Sequence, residues 1–139
     1  MKHSEGFLKI VNDAKSRINE VSVEDTRARI GADPNARLID VREDNEWNEA
    51  HAAAAIHLGK GIIERDIEAT VPDKSTELIL YCGGGYRSAL AADVLQNMGY
   101  TNVLVHGRRL EGLERIGRAS GKLDPTASAQ NSSARIQSL

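Results

Sequence analysis

The chain has 139 residues, 40% hydrophobic and 27% charged, with a formal net charge of −2. This suits one domain with a real core, and so small a charge gives no global field for nucleic acid. No apolar run reaches the roughly 18 residues of a membrane helix, and residues 1–6 lack the apolar core of a secretion signal, so a cytoplasmic location without a membrane partner is expected.

Phe7, Val11, Ala14 and Ile18 recur at helical spacing and predict an amphipathic helix over residues 4–17. A short strand is expected at 18–21. Ser22, with Asp25 three residues on, reads as a helix start, and Gly31 as that helix's end. After a turn at Pro34-Asn35, residues 37–41 have the apolar run of a buried strand. Residues 43–55 are rich in helix formers and contain a helix. Their alanines either extend it or pack in a loop, and the pattern leaves both open. Residues 56–58 form a short strand and 62–69 another helix. The clearest strand is 77–81, apolar at Leu78, Ile79 and Leu80 and bounded by turn residues. A glycine run follows, then a helix with Leu90, Ala91, Val94, Leu95 and Met98 on one face and Gly99 at its end. A last strand is expected at 102–105 and a last helix at 110–116. Strands alternating with helices predict an α/β fold with a central, mostly parallel sheet of four to five strands, flanked by helices on both faces. Three segments result: an N-terminal helical extension at 1–18, a domain at 19–118, and a disordered tail at 119–139, where Ser, Ala, Gln and Asn dominate.

Cys82 is the single cysteine, which excludes an internal disulfide and a Cys-x-x-Cys metal or redox pair. A lone cysteine is most often a small buried hydrophobe, so its surroundings matter. They read Tyr81-Cys82-Gly83-Gly84-Gly85-Tyr86-Arg87-Ser88. A hydrophobic strand ends at Cys82 and a helix begins near Arg87 or Ser88. In an open parallel sheet this is where ligands bind, beyond the carboxyl ends of the strands. Consecutive glycines allow a tight curl, including positive φ, and a tight curl can aim successive N–H groups inward as an anion nest. The helix N-terminus and the charge of Arg87 add to that field. Such surroundings favour a thiolate and leave room for a bulky anion above the sulfur.

The six residues 82–87 resemble the active-site loop of the rhodanese family: a cysteine, an arginine five positions later, then a small residue, here Ser88. Upstream, Leu38-Ile39-Asp40-Val41-Arg42-Glu43 is similar to that family's Asp-x-Arg segment, and Glu46 and His51 match the acidic residue and histidine that follow it. The resemblance spans about residues 21–117. It implies a rhodanese-like fold and a double-displacement sulfurtransferase of the thiosulfate type. Cys82 would be the catalytic nucleophile and persulfide carrier. Gly83, Gly84, Gly85, Tyr86, Arg87 and Arg42 would bind the substrate, supported by Asp40 and Ser88. The implied partners are a small anionic sulfur donor and an acceptor that is cyanide, a small thiol or a protein thiol. No metal or organic cofactor is implied. The chain departs from the family pattern at Ala50 and Ala54, where glycine is usual, at His106-Gly107-Arg108 in place of Asp-Gly-Gly, and at Leu113 in place of tryptophan.

The other candidates have plainer readings. His51 and His57 lack a third ligand at a telling spacing and are expected to make structural hydrogen bonds. Asp40 and Glu46 are expected to fix geometry, and Trp47 to line a core or groove. Arg108, Arg109, Arg115 and Arg118 form a basic cluster, solvated or steering an anion. Two rival functions remain: a non-catalytic or redox-sensing rhodanese module that binds a partner, and a cysteine-dependent phosphatase. The latter's loop carries arginine six positions after cysteine, one more than here.

Overall fold

The structure, a computed structural model, describes residues 2–107. The expected helix at 110–116, the basic cluster, Leu113 and the tail lie outside them.

Helix α1 spans Glu5–Lys15, and Ser4 caps it by accepting from the Phe7 N–H at 3.2 Å. Strand β1 is Asn19–Val21. Helix α2, Val23–Ala32, starts as its sequence predicts: Ser22 Oγ accepts from the Asp25 N–H at 3.0 Å. It passes Gly31 by one residue and is capped at Asp33. Strand β2 is Arg37–Asp40 and helix α3 is the short Asp44–Glu49. A capping box starts α3, with Glu43 and Glu46 exchanging side-chain and backbone bonds. The alanine run resolves as a loop, not a helical extension. Ala50 is already extended, at φ −168°, and strand β3 begins at Ala55 and ends at His57. Helix α4 covers Ile63–Thr70, β4 Leu78–Tyr81, α5 Tyr86–Asn97 and β5 Val103–His106. Gly99, expected at the end of α5, has φ +103°, the left-handed conformation that terminates a helix.

The five strands form one sheet in the order β1-β5-β4-β2-β3, and every pairing is parallel. The α/β class and two-sided cover read from the sequence are therefore the architecture. The two-residue period of β4 divides the core. Leu78, Leu80 and Cys82 face one side, with Ile63 and Ile67 of α4 and Ala89, Ala92 and Leu95 of α5. Ile79 and Tyr81 face the other, with Ile30 of α2, Leu38 and Ala52. Full burial of such side chains contributes about 1.5–3 kcal/mol each, and all four residues of the central strand are buried. Register sets Tyr81 between Asp40 on β2 and His106 on β5. Three strand ends thus converge where the chain leaves the sheet for Cys82.

Candidate active site

Cys82 follows β4 directly and is 1% exposed. Its sulfur accepts the Gly85 N–H at 3.2 Å and the Ser88 N–H at 3.4 Å, and lies 3.4 Å from Ser88 Oγ. Both N–H groups belong to the start of α5, where helical geometry leaves donors without helical partners. The loop therefore wraps the sulfur with fixed dipoles that suit an anion. Of the three glycines, Gly85 alone carries positive φ, at +89°. A side chain there would also meet backbone, since a Cβ would lie 3.3 Å from both Cα and O of Gly107. At Gly84 a Cβ would make ordinary contact with the Tyr86 ring, 3.9 Å away. At Gly83 it would lie 3.5 Å from Nη2 of Arg87.

Arg87 leans back over the loop and is gripped by Glu46 of α3, Nη1 to Oε1 at 2.7 Å and Nη2 to Oε2 at 3.2 Å. Glu46 Oε1 also accepts the Glu43 N–H at 3.0 Å, so the carboxylate is fixed before it meets Arg87. The hydrogen bond from Arg87, against a smaller cost of burial, holds Glu46 below the ordinary carboxylate range. Conversely, Glu46 and then the sulfur of Cys82 raise Arg87 above its ordinary value, so the guanidinium is a permanent charge.

Arg42 and Asp40 form a second, deeper pair. Asp40 is fully buried and Arg42 is 8% exposed. Arg42 Nε and Nη2 reach the Asp40 carboxylate at 2.7–3.1 Å, Nη2 also donates to the Ala50 carbonyl at 2.7 Å, and the Arg42 N–H caps Asp40 Oδ1 at 2.9 Å. Burial opposes the Arg42 charge, but Asp40 outweighs it. The Tyr81 hydroxyl completes the network, donating to Asp40 Oδ2 at 2.8 Å and accepting from the Ala52 N–H at 3.1 Å. Burial first, and then the Asp40 charge, push the Tyr81 phenol well above its ordinary range, so it stays a donor.

Cys82, the glycines and the first turn of α5, with Tyr86, Arg87 and Ser88, come together at the end of β4, and Asp40 and Arg42 brace the strand beside it. Two contributors escaped sequence reasoning. Tyr81 reads only as the end of an apolar strand. Gly107 supports Gly85 from another strand end. Trp47 stacks parallel to both histidines, with ring centroids 3.5 Å from His51 and 4.9 Å from His57. The histidines make the structural hydrogen bonds expected of them: His51 Nδ1 to the Trp47 carbonyl at 2.9 Å, and His57 Nε2 to the Arg42 carbonyl at 2.8 Å. At Ala50 the extended backbone removes any need for the glycine usual there.

A five-stranded parallel α/β sheet with a cysteine cradled by backbone N–H groups at the end of its central strand defines an α/β domain with a cysteine loop. The sequence profile of the Rhodanese-like domain matches residues 22–107, so the chain belongs to that family. The thiosulfate:glutathione sulfurtransferase of Saccharomyces cerevisiae is 34% identical over 103 residues, covering 66% of this chain and 74% of that protein. YrkF of Bacillus subtilis is 29% identical over 89 residues, 64% of this chain, and the match spans 47% of its length. Among solved structures, a rhodanese with anions from Escherichia coli superposes with a TM-score of 0.52 at 32% identity, over 55% of this chain and 89% of that one. Among the described residues, no helix is long and apolar enough to cross a membrane.

Proposed function

We propose that the chain is a sulfurtransferase that moves a sulfane sulfur from an anionic donor such as thiosulfate to cyanide or a thiol, through a persulfide on Cys82. The observation that carries this reading is the sulfur of Cys82 at the carboxyl end of the central strand, bonded by the Gly85 and Ser88 N–H groups with Arg87 five residues on.

In the first half-reaction the Cys82 thiolate attacks the outer sulfur of thiosulfate. A sulfur–sulfur bond forms, the donor's own sulfur–sulfur bond breaks, and sulfite leaves with that electron pair. The negative charge moves to the new terminal sulfur. There the N–H groups of Gly83, Gly84, Gly85, Tyr86 and Arg87 supply fixed donors, the arrangement that stabilises a developing anion without reorganisation. In the second half-reaction cyanide or a thiolate attacks the terminal sulfur, and the bonding pair returns to Cys82. Electrons balance within each step, so no metal or organic cofactor enters. With no second cysteine in the chain, the persulfide is discharged only by an external acceptor.

Arg87 serves as the charge that attracts the donor and neighbours the sulfur. Arg42, whose Nε and Nη2 are held by Asp40 and Ala50, adds a second positive charge for binding the donor. Asp40 and Ser88 support the loop. The domain at residues 19–118 acts with the N-terminal extension at 1–18, and the reaction takes place in the cytoplasm.

Thiocyanate formation from thiosulfate and cyanide tests this reading, with intact mass followed in parallel. Thiosulfate should add one sulfur, about 32 Da, to the chain at its reactive thiolate, cyanide should remove it, and Cys82→Ser should gain nothing. A Cys82→Ser variant that still takes up and transfers sulfur defeats the assignment. Hydrolysis of an aryl phosphate without thiocyanate formation would instead indicate the phosphatase reading.

A further inference from the structure

Helix α1 precedes residues 22–107, the part matched by the family, yet it reaches the active-site loop. Just past its end, Arg17 is bolted to α5: Nε and Nη2 grip the Asp93 carboxylate at 2.9 and 2.8 Å, and Gln96 Nε2 donates to the Arg17 carbonyl at 3.0 Å. From that anchorage three side chains meet Tyr86, the first residue of α5. The His3 ring meets it edge-on at a centroid distance of 4.6 Å and the Phe7 ring edge-on at 6.2 Å, while the Lys15 ammonium sits 5.1 Å from its centroid. His3 and Phe7 also pack on each other at 5.2 Å. The ring they hold lies beside Gly84.

The physical need for such a grip is plain. Glycines lose more freedom on ordering than any other residue, and three in a row have no side chain by which to be held. An anion cradle works only if its N–H groups are already aimed when the anion arrives. The two bulky residues after the glycines are both clamped by distant elements: Arg87 by Glu46, Tyr86 by α1.

We propose that the N-terminal segment, His3 together with α1, is a positioning element that holds the triglycine loop in its anion-ready shape through the grip of His3, Phe7 and Lys15 on Tyr86. This rests on the sulfurtransferase reading for the loop's purpose, but not for its ordering. Amide hydrogen exchange of the full chain, read on peptides covering residues 83–87, measures that ordering without any sulfur transfer. The rate of Cys82 alkylation by iodoacetamide as a function of pH reports the thiolate. In His3→Ala and Phe7→Ala, loop exchange should quicken about two- to tenfold, the worth of an aromatic pair. The rate of Cys82 alkylation should change with the ordering of the loop, while exchange within β4 and α2 stays at the parental rate. Phe7→Tyr should restore both readouts. Parental loop exchange and alkylation in the folded variants would overturn the proposal, as would uniform acceleration across the whole chain. Should Phe7→Ala fail to fold, His3→Ala, which lies before the helix, decides by the same measurements. A parent chain that forms no thiocyanate would refute the proposed function and leave the exchange result to judge α1 by itself.

Discussion

Replacing Gly85 by alanine should damage the loop, and the structure indicates by how much. At φ +89° an L side chain is strained, at about 1–2 kcal/mol for the left-handed region. The new Cβ would also press on Cα and O of Gly107 at 3.3 Å. Gly107 is backbone and cannot swing aside, so overpacking adds about 1 kcal/mol. The sum is about 2–3 kcal/mol, or roughly 7–13 °C in Tm for a domain of this size. Because the Gly85 N–H bonds the sulfur at 3.2 Å, relief of the clash moves a donor away from Cys82. Persulfide formation by folded protein should fall about tenfold, as expected for losing one bond to a charged group. Urea unfolding and the rate of mass gain with thiosulfate measure the two effects. Gly84→Ala is the internal control: its Cβ meets only the Tyr86 ring at ordinary distance, and its stability should change by less than about 0.5 kcal/mol. Equal stability of the Gly85→Ala and Gly84→Ala variants would refute the reasoning.

Arg87→Ala should slow Cys82 alkylation near neutral pH and raise the KM for thiosulfate, each at least roughly tenfold, whereas Arg87→Lys restores charge but not the fork on Glu46; unchanged kinetics in folded Arg87→Ala would remove it from the mechanism. Arg42→Ala strands the Asp40 charge in the core and should cost about 3–5 kcal/mol in urea unfolding and raise the KM for thiosulfate of the folded fraction; an unchanged KM would remove Arg42 from donor binding. The Glu46–Arg87 pair sets a pH dependence. Since folding lowers the Glu46 pKa, its contribution is fully present above the unfolded carboxylate value of about 4.3 and is lost as pH falls through the depressed folded value. The stability difference between the parent and Glu46→Gln should therefore be steady from pH 7 to 5 and shrink towards pH 3, and a difference that grows on acidification contradicts the pairing.

Local chemistry in the sequence was enough for much of this molecule. Ser22 with Asp25, the apolar run of β4, and Gly99 each encode their element through neighbours a few residues away, and the α/β class follows from their alternation. The position of Cys82 at a strand end, ahead of glycines and Arg87, pointed to the candidate loop for the same reason. What was not legible depends on distant partners. Glu46 meets Arg87 and Tyr81 meets Asp40 across 41 residues each, Gly107 backs Gly85, and α1 reaches Tyr86. Even the three glycines, alike in sequence, differ once folded, because only Gly85 combines positive φ with a neighbouring backbone. These pairings follow from the strand order β1-β5-β4-β2-β3 and its register. Order and register come from burial summed over the whole chain, which no local window contains. The choice of Cys82 as the proposed nucleophile was thus a local property, while the groups that hold its surroundings in place were decided by the tertiary structure.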